Sequence, residues 1–361
     1  MPVAQRNASQ WRLIWRRYRR HRLAMVGLFV VGAIYFIVAF AEFLAPTTGT
    51  AADTKMAYAP PQRLHWFHEE HGFGPYVYGY RTERDPQTFE HIHRVDTEQR
   101  IQVGLFVKGE PYKMWGLIPT DRHLIGPTDG EGPFYLWGAD RSGRDVLSRV
   151  IYGARVSLSI GLVGVAMGFV LGTMFGGLSG YYGGPVDSLI QRIIEFLMAV
   201  PTLPLWLALS AAIPPTWGPL ERYFAITVIL STIGWTGLAR EVRGRFLALR
   251  EEDFVVAARL DGCGNGRIIF RHMVPSFTSH MIASLTMSIP GMILGETALS
   301  FLGLGLQSPA VSWGVLLQEA QNIRTVETAP WLLLPGIAVV VTVLAMNFVG
   351  DGLRDSADPY K

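Results

Sequence analysis

Three histidines recur at every third position, His65, His68 and His71, with Glu69 and Glu70 between the last two. Imidazole nitrogens bind zinc and related ions, and on a helix these three would drift round one side and could share a metal. The zinc-peptidase pattern needs two residues between the glutamate and the second histidine; His68-Glu69-Glu70-His71 is one residue short of it. Two readings follow: metal capture, whose functional form would be a membrane-anchored metalloenzyme, or histidines with a structural or incidental role. Gly262-Cys263-Gly264-Asn265-Gly266 is as glycine-rich as a dinucleotide loop, but no strand leads into it. A P-loop needs a lysine directly after a glycine to hold phosphates. The lysines here are Lys55, Lys108, Lys113 and Lys361, and none follows a glycine. Nucleotide binding of that kind is therefore not expected in this chain. Cys263 is the only cysteine, which excludes an intramolecular disulfide framework and any multi-cysteine zinc site.

The remaining charged candidates lie in or beside apolar stretches, where an ionisable side chain is a functional hint. Glu195 stands one helical turn from Arg192, and Glu296 follows a long apolar run. Each has an ordinary reading beside the functional one: Glu195 satisfied by Arg192, Glu296 capping a loop rather than lining a pathway. Pro201 and Pro204 are expected to kink the helix that holds them, and the freed carbonyls could face a pathway. An ion-driven transporter would call for more helix-embedded acids than these.

The elements around these residues are those of a membrane protein. The chain has 361 residues, 49% hydrophobic and only 17% charged, where soluble proteins carry about 25% charged residues. A bilayer core of roughly 30 Å needs about 20 apolar residues in a helix. Six stretches meet or approach that: 23–41, 156–180, 193–213, 223–239, 277–295 and 330–350, the fifth interrupted by His280 and Pro290. The uncharged stretch 297–318 contains Gly303, Gly305 and Pro309 and reads as a loop or re-entrant segment, with a seventh span as the alternative. The 19 uncharged residues at 23–41 are long for a signal peptide, so they read as a retained anchor.

The net charge is +3, and all basic residues but the four lysines are arginine. Seven arginines precede the first span and seven lie between Arg240 and Pro275, whereas only Arg324 follows Gly295 before the last span. By the positive-inside rule both arginine-rich segments and the C-terminus belong in the cytoplasm. This placement points to a membrane and not to nucleic acid. The expected organisation is a cytoplasmic segment 1–22, a first span 23–45 and an extracytoplasmic insertion 46–149. A five-helix core 150–350 with a cytoplasmic loop 240–275 follows, then a cytoplasmic tail 351–361. The insertion, with Tyr76, Tyr78, Tyr80 and alternation over 101–107, reads as a small β-rich subdomain. Gly164, Gly168, Gly172, Gly176, Gly180 and Gly184 form a small-residue stripe that lets another helix approach closely, either within this chain or from a partner.

The loop 240–275 is the most informative. Glu251, Glu252 and Asp253 precede Phe254-Val255-Val256-Ala257-Ala258, with Asp261 and Gly262 following. Acids in a first helical turn complement the helix dipole, and Gly262 suits a C-terminal stop. A second short helix is expected from Arg267 to Val274, ended by Pro275. Phe254, Val255 and Ala258 form one apolar face, which either docks another protein or packs on this chain. Ala257, Ala258, Gly262, Val274 and Pro275 resemble, in spacing, the coupling loop of bacterial ABC importer permeases. The family's glutamate position is occupied here by Val256, which can supply no salt bridge.

Other segments resemble one branch of that family, the second permease subunit of dipeptide, oligopeptide and nickel importers. They are 15–27, Gly138-Ala139-Asp140 with Gly143-Arg144-Asp145-Val146-Leu147-Ser148-Arg149, Leu299-Ser300-Phe301-Leu302-Gly303-Leu304-Gly305 with Ser312-Trp313-Gly314, and Asn347 with Gly350-Asp351-Gly352-Leu353-Arg354-Asp355 and Asp358-Pro359. The insertion 47–133 departs by its length. The resemblance implies an all-α integral membrane permease of the type I importer kind, not itself an enzyme and with no cofactor in this chain. It implies as partners a second permease subunit, two ATPase subunits that carry ATP and magnesium, and an extracytoplasmic substrate-binding protein. Coupling would run through Glu251, Glu252, Asp253, Phe254, Val255, Ala257, Ala258, Asp261, Gly262 and Pro275. Glu195, Pro201 and Glu296 are the pathway candidates. The implied cargo is a short peptide, with nickel or another small solute as the alternative.

Overall fold

The computed structural model describes residues 10–68, 72–84, 86, 91–130 and 132–357. Helices α1 (Gln10–Tyr18), α2 (Arg22–Ala39) and α3 (Ala41–Leu44) come first, then strands β1 (His65–His68), β2 (Gly72–Arg84), β3 (His91–Met114) and β4 (Ile118–Pro127). Thereafter the chain is helical: α4 (Val146–Tyr182), α5 (Gly184–Ala199), α6 (Thr202–Ala211), α7 (Pro219–Leu249), α8 (Asp253–Leu260), α9 (Asn265–Arg267), α10 (Val274–Ser276), α11 (Thr278–Phe301), α12 (Trp313–Gln318), α13 (Ile323–Thr328) and α14 (Leu334–Ala357). The described residues form two compact units, one drawn from 1–32, 158–299 and 341–361, the other from 33–157 and 300–340.

Among the described residues four helical segments are long and apolar enough to cross a membrane: α2, α4, α11 and Pro330–Ala357. The pair α5 and α6 makes a fifth if a helix bent by 87° counts as one span. The kink expected in the third span, 193–213, is thus a corner. Pro201 has no N–H to continue the ladder and forces the preceding residue out of the helical region. Val200 is accordingly extended, with φ −84 and ψ 128. Pro204 falls in the first turn of α6, where a missing N–H costs nothing. The expected fourth span, 223–239, lies inside the 31-residue α7, where Glu221, Arg222, Arg240 and Glu241 bracket the apolar stretch closely.

In the first unit the glycine stripe of α4 faces α7. A Cβ on Gly172 would lie 2.9 Å from the Cβ of Leu238, one on Gly180 2.6 Å from the Cβ of Phe246, and one on Gly176 would collide with the Ala239 carbonyl. Of the two readings of the stripe, contact within the chain holds for Gly164 to Gly180; Gly184 opens α5 instead. The start of α5 is tied to α7 by a bidentate pair, Arg243 donating through Nε and Nη2 to the two Asp187 oxygens at 2.6 Å each. Two segments that carry the family resemblance also meet here. A Cβ on Gly27 would lie 2.7 Å from the Ala345 carbonyl, and one on Gly352 would collide with Ala24 and the Tyr18 ring.

The second unit holds an antiparallel sheet in the order β1-β2-β3-β4, lying where the β-rich subdomain is expected. Val77, Ile101, Val103 and Phe134 form one small core beside it, and Ala59, Tyr80, Tyr135 and Ala139 another. The histidines do not share a helix. His65 and His68 lie on β1, and His71, Glu69 and Glu70 fall outside the described residues. His65 stacks on Tyr76 with ring centroids 5.2 Å apart. The helical premise for metal capture therefore fails, since a strand turns successive side chains to opposite faces.

The segment 297–318 contains no single long helix. α11 ends at Phe301, Gly303 takes φ +77, and α12 begins at Trp313 with Ser312 Oγ accepting from the Val315 N–H at 3.2 Å. Trp313 donates through Nε1 to the Val150 carbonyl at 3.0 Å and through its backbone N–H to Ser157 Oγ at 3.1 Å. The 312–314 motif is thereby fastened to the start of α4.

Candidate functional site: the turn between α7 and α11

α7 stops at Leu249, and Arg250 pairs with Glu251 at 3.0 Å beyond it. Glu252 is extended and accepts the first helical bonds of α8 through its carbonyl, from Val255 at 2.9 Å and Val256 at 3.0 Å. Asp253 occupies the first turn, where its charge suits the dipole. Of the three acids expected in the first turn, Glu251 and Glu252 thus precede α8 and only Asp253 lies within it. The helix ends at Leu260 in a paired C-terminal motif: Gly262 N–H donates to the Arg259 carbonyl and Cys263 N–H to the Ala258 carbonyl, both at 3.1 Å. Gly262 sits at φ +75, the left-handed residue such an ending requires. The glycine-rich run 262–266 is explained as a helix stop and the restart at α9.

The expected apolar face of α8 is divided by the structure. Val255 is fully buried and Ala258 nearly so, packed with Val242, Phe246, Ile268, Met273 and Phe277. Phe254 does not share that face and is 41% exposed, as is Val256 at 40%. On the helical wheel Ala258 lies between the two, about 60° from Val255 and about 40° from Phe254, so the buried sector runs from Ala258 to Val255 and Phe254 stands at its edge, about 100° from Val255. Ala257, Asp261 and Gly262 are exposed with it. The most exposed apolar residue of the turn, Leu260 at 83%, and Phe270 at 68%, were not picked out by the sequence. Two apolar stripes on so short a helix are the signal that could have found Leu260, since only one can be buried.

The return strand of the turn is a π-helix, Ile268–Met273. Its wider winding accompanies burial of Ile268, Ile269 and Met273 with Phe270 outward. Pro275 is exposed and does not end the helical path, which runs one residue further to Ser276. Tyr181 anchors the turn to α4: its hydroxyl donates to Asn265 Oδ1 at 2.9 Å, and the Arg259 guanidinium lies 5.9 Å from its ring centroid. The turn is therefore buried on one side in the first unit, with Phe254, Leu260 and Phe270 exposed on the other beside the acids Glu251, Glu252, Asp253 and Asp261.

The pathway candidates lie in unlike settings. Glu195 is on the exposed side of α5, paired with Arg192 at 2.9 Å. Pro201 is the exposed N-cap of α6 at the corner. Glu296 is fully buried within α11. A constellation the sequence reading did not assemble lies between α7 and α11: His280 Nε2 is 2.8 Å from Glu241 Oε1, and Ser284 Oγ donates to the same oxygen at 3.1 Å. These side chains line a cavity of about 430 Å³ with Gly168, Gly234 and Arg354. His280 in an otherwise apolar run was the visible trace of it. Among the described residues no three His, Cys, Asp or Glu side chains converge as metal ligands.

Residues 168–360 match the family described as binding-protein-dependent transport system inner membrane component, and 9–61 match the N-terminal TM domain of oligopeptide transport permease C. A dipeptide transport system permease protein of Alkalihalophilus pseudofirmus is 31% identical over 352 residues, covering 97% of this chain and 90% of that protein. Its counterpart in Bacillus subtilis is 29% identical over 347 residues, covering 96% and 84%. An oligopeptide transport system permease protein of Haemophilus influenzae is 37% identical over 241 residues, covering 66% and 75%. With its apolar helices and these similarities along nearly its whole length, the chain belongs to the family of binding-protein-dependent transport system inner membrane components and is an integral membrane permease subunit of the ABC importer kind.

Proposed function

We propose that this chain is one of two membrane subunits of an ATP-driven importer that carries short peptides across the cytoplasmic membrane of a bacterium. The observation that carries the cargo is the similarity to dipeptide permeases over nearly the whole chain and to an oligopeptide permease over about two thirds of it. ATP and magnesium belong to two separate ATPase subunits, and a binding protein delivers the peptide from outside. Both termini and the turn 240–275 lie in the cytoplasm, with the insertion 46–149 on the other side, in keeping with the arginine distribution.

In this reading α8 and its flanks, from Glu251 to Gly262 with Pro275, form the coupling element. Phe254, Ala257 and Leu260 meet the ATPase, while Val255 and Ala258 hold the turn to the body. A short helix with one buried and one exposed apolar side suits helix-in-groove docking. Glu251, Glu252, Asp253 and Asp261 line the exposed surface as a polar rim. Glu195, Pro201 and Glu296 keep their assignment to the translocation route. The Glu241, His280 and Ser284 cluster joins them as a polar surface that a peptide could touch.

The test is purification of the tagged chain in mild detergent, with mass spectrometry of its companions and uptake of labelled dipeptide in cells lacking the chain. A second permease with one or two ATPases, and uptake restored by the chain, is the expected result. A chain that purifies alone under several mild conditions, and whose loss leaves dipeptide uptake intact, would overturn the proposal.

A further inference from the structure

The turn joining β3 to β4 is built against local preference. Met114 pairs with Ile118, so the hairpin loop is the three residues 115–117; within it Leu117 N–H donates to the Met114 carbonyl at 3.0 Å, closing a turn whose central residues, Trp115 and Gly116, have φ +52 and +72. Positive φ at both positions marks the type I′ turn, which favours Asn, Asp or Gly. A bulky aromatic in that left-handed conformation is strained. What holds Trp115 there is the end of α2. Its indole Nε1 donates to the Ala39 carbonyl at 2.6 Å, and its ring lies 5.7 Å from that of Phe40.

That contact fixes the height of the turn. α2 has 18 residues, hence about 27 Å of helix, close to the roughly 30 Å of a hydrocarbon core. Only 11% of it is buried within this chain. Its last carbonyls need donors, and they find two at one level: Arg155 Nη2 donates to Val38 at 3.0 Å while Trp115 donates to Ala39. Arg155 also pairs with Glu42 at 2.8 Å. A charged pair at that level marks where hydrocarbon gives way to headgroups. Trp115 sits within one residue of it, where tryptophan is enriched in membrane proteins.

The surface beyond is apolar where hairpin tips are ordinarily polar. Leu117 is 79% exposed, Ile118 53% and Trp115 51%, and exposed Lys113 stands beside them. The apolar surface is continuous with the span: Phe36, itself exposed, packs on Phe40 with ring centroids 4.9 Å apart, and Phe40 on Trp115. We propose that the β3–β4 turn, residues 113–118, is a membrane-interface anchor. Trp115, Leu117 and Ile118 enter the headgroup and acyl boundary at the end of α2, and Lys113 meets lipid phosphates. The insertion is then tethered to lipid at two places, by α2 and by this turn.

The inference rests on α2 crossing the membrane, and the test separates the two. In a Cys263→Ser background, single cysteines replace Leu117 at the turn, Phe29 in α2 and Glu83 on β2, each in full-length protein co-expressed with its partners. Each carries a nitroxide, in nanodiscs of phosphatidylethanolamine and phosphatidylglycerol. Power-saturation spectroscopy compares collision with oxygen, which favours lipid, and with a water-soluble nickel chelate. The expected oxygen-to-nickel ratio at Leu117 is several-fold above that at Glu83 and approaches that at Phe29. A ratio at Leu117 equal to that at Glu83, or a label immobile and shielded from both reagents, overturns the anchor. A water-like Phe29 overturns the spanning of α2 instead. Quenching of tryptophan fluorescence by brominated lipid, reduced by Trp115→Phe, is the second expected result; quenching unchanged by that substitution counts against the anchor even if the cysteine at Leu117 has disturbed the turn.

Discussion

Two charged regions of this chain handle charge in opposite ways. In the segment 138–149, Asp140, Arg144 and Arg149 pair with one another and with Glu319. Asp140 accepts from the backbone N–H groups of Ser142 at 2.7 Å and Arg144 at 3.0 Å, from Arg144 Nε at 2.8 Å, and from Arg149. Glu319 lies 3.7 Å from Arg149 and 3.8 Å from Arg144. Asp140 and Arg149 are each 2% exposed. In the turn at 250–262 the acids remain in solvent, and apolar Phe254 and Leu260 remain there with them. Charge density alone therefore does not identify the surface that meets a partner. Exposed apolar groups on a fixed frame do so better, because leaving them in water carries a free-energy cost that docking relieves.

The largest effect should come from breaking the first region. Arg149→Met removes the most deeply buried cation and leaves Arg144 as the only one that Asp140 and Glu319 share, and breaking a buried ion network by removing one partner costs up to about 3–5 kcal/mol. The expected outcome is a collapse in yield of folded protein, read by fluorescence-detected size-exclusion chromatography in detergent. A normal monodisperse profile would mean that the network is dispensable and the contrast with the turn is false.

A smaller effect should follow acidification. Asp145 caps α4, with Oδ2 accepting from Ser148 N–H at 2.8 Å and Ser148 Oγ at 2.6 Å. Its Oδ1 is buried without a hydrogen-bond partner. Burial pushes its pKa up to about 6, and burial raises that of Glu319 as well. Since the folded pKa lies above the unfolded one, ionisation opposes folding. The penalty is absent below about pH 4, grows as pH rises through about 6, and for Asp145 reaches at most about 3 kcal/mol. The melting midpoint should be higher at pH 5 than at pH 7, and Asp145→Asn should shrink the difference. An unchanged pH slope in that variant would sink the assignment.

Much of the second region was legible from sequence, and the first scarcely at all. The acids at 251–253 and Gly262 mark a short helix and its stop locally, within a dozen residues. The choice of buried face was not legible, because it depends on Phe246 and Met273, which belong to the elements before and after α8. The partnership of Arg149 with Glu319 spans most of the core, and that of Glu241 with His280 joins two helices, so neither has a local trace beyond a charge in an apolar setting. Pro201 announced a break, but the corner needed the extended Val200 as well. The helical premise behind the metal alternative at His65 and His68 failed because period three was tested against a helix when the local pairing is a strand.

The two faces of α8 allow the comparison to be sharpened within eight residues. Val255→Ala removes buried methyl groups from the core of the turn and should cost about 1–2 kcal/mol by lost burial and a cavity, lowering the melting midpoint. Phe254→Asp and Leu260→Asp change exposed positions and should leave stability within about 0.5 kcal/mol. Their effect belongs to assembly. A carboxylate placed in an apolar groove stays unpaired on docking, and that penalty falls on the complex alone. In pull-downs from mild detergent, both exposed variants should therefore lose the ATPases while keeping the second permease subunit, and peptide uptake should fall with them. Val255→Ala should keep the ATPases at low temperature and lose them only as it unfolds. If Phe254→Asp and Leu260→Asp retain full ATPase recovery and uptake, the outer face of α8 is not the docking surface, and the nearby exposed Phe270 becomes the residue to change next.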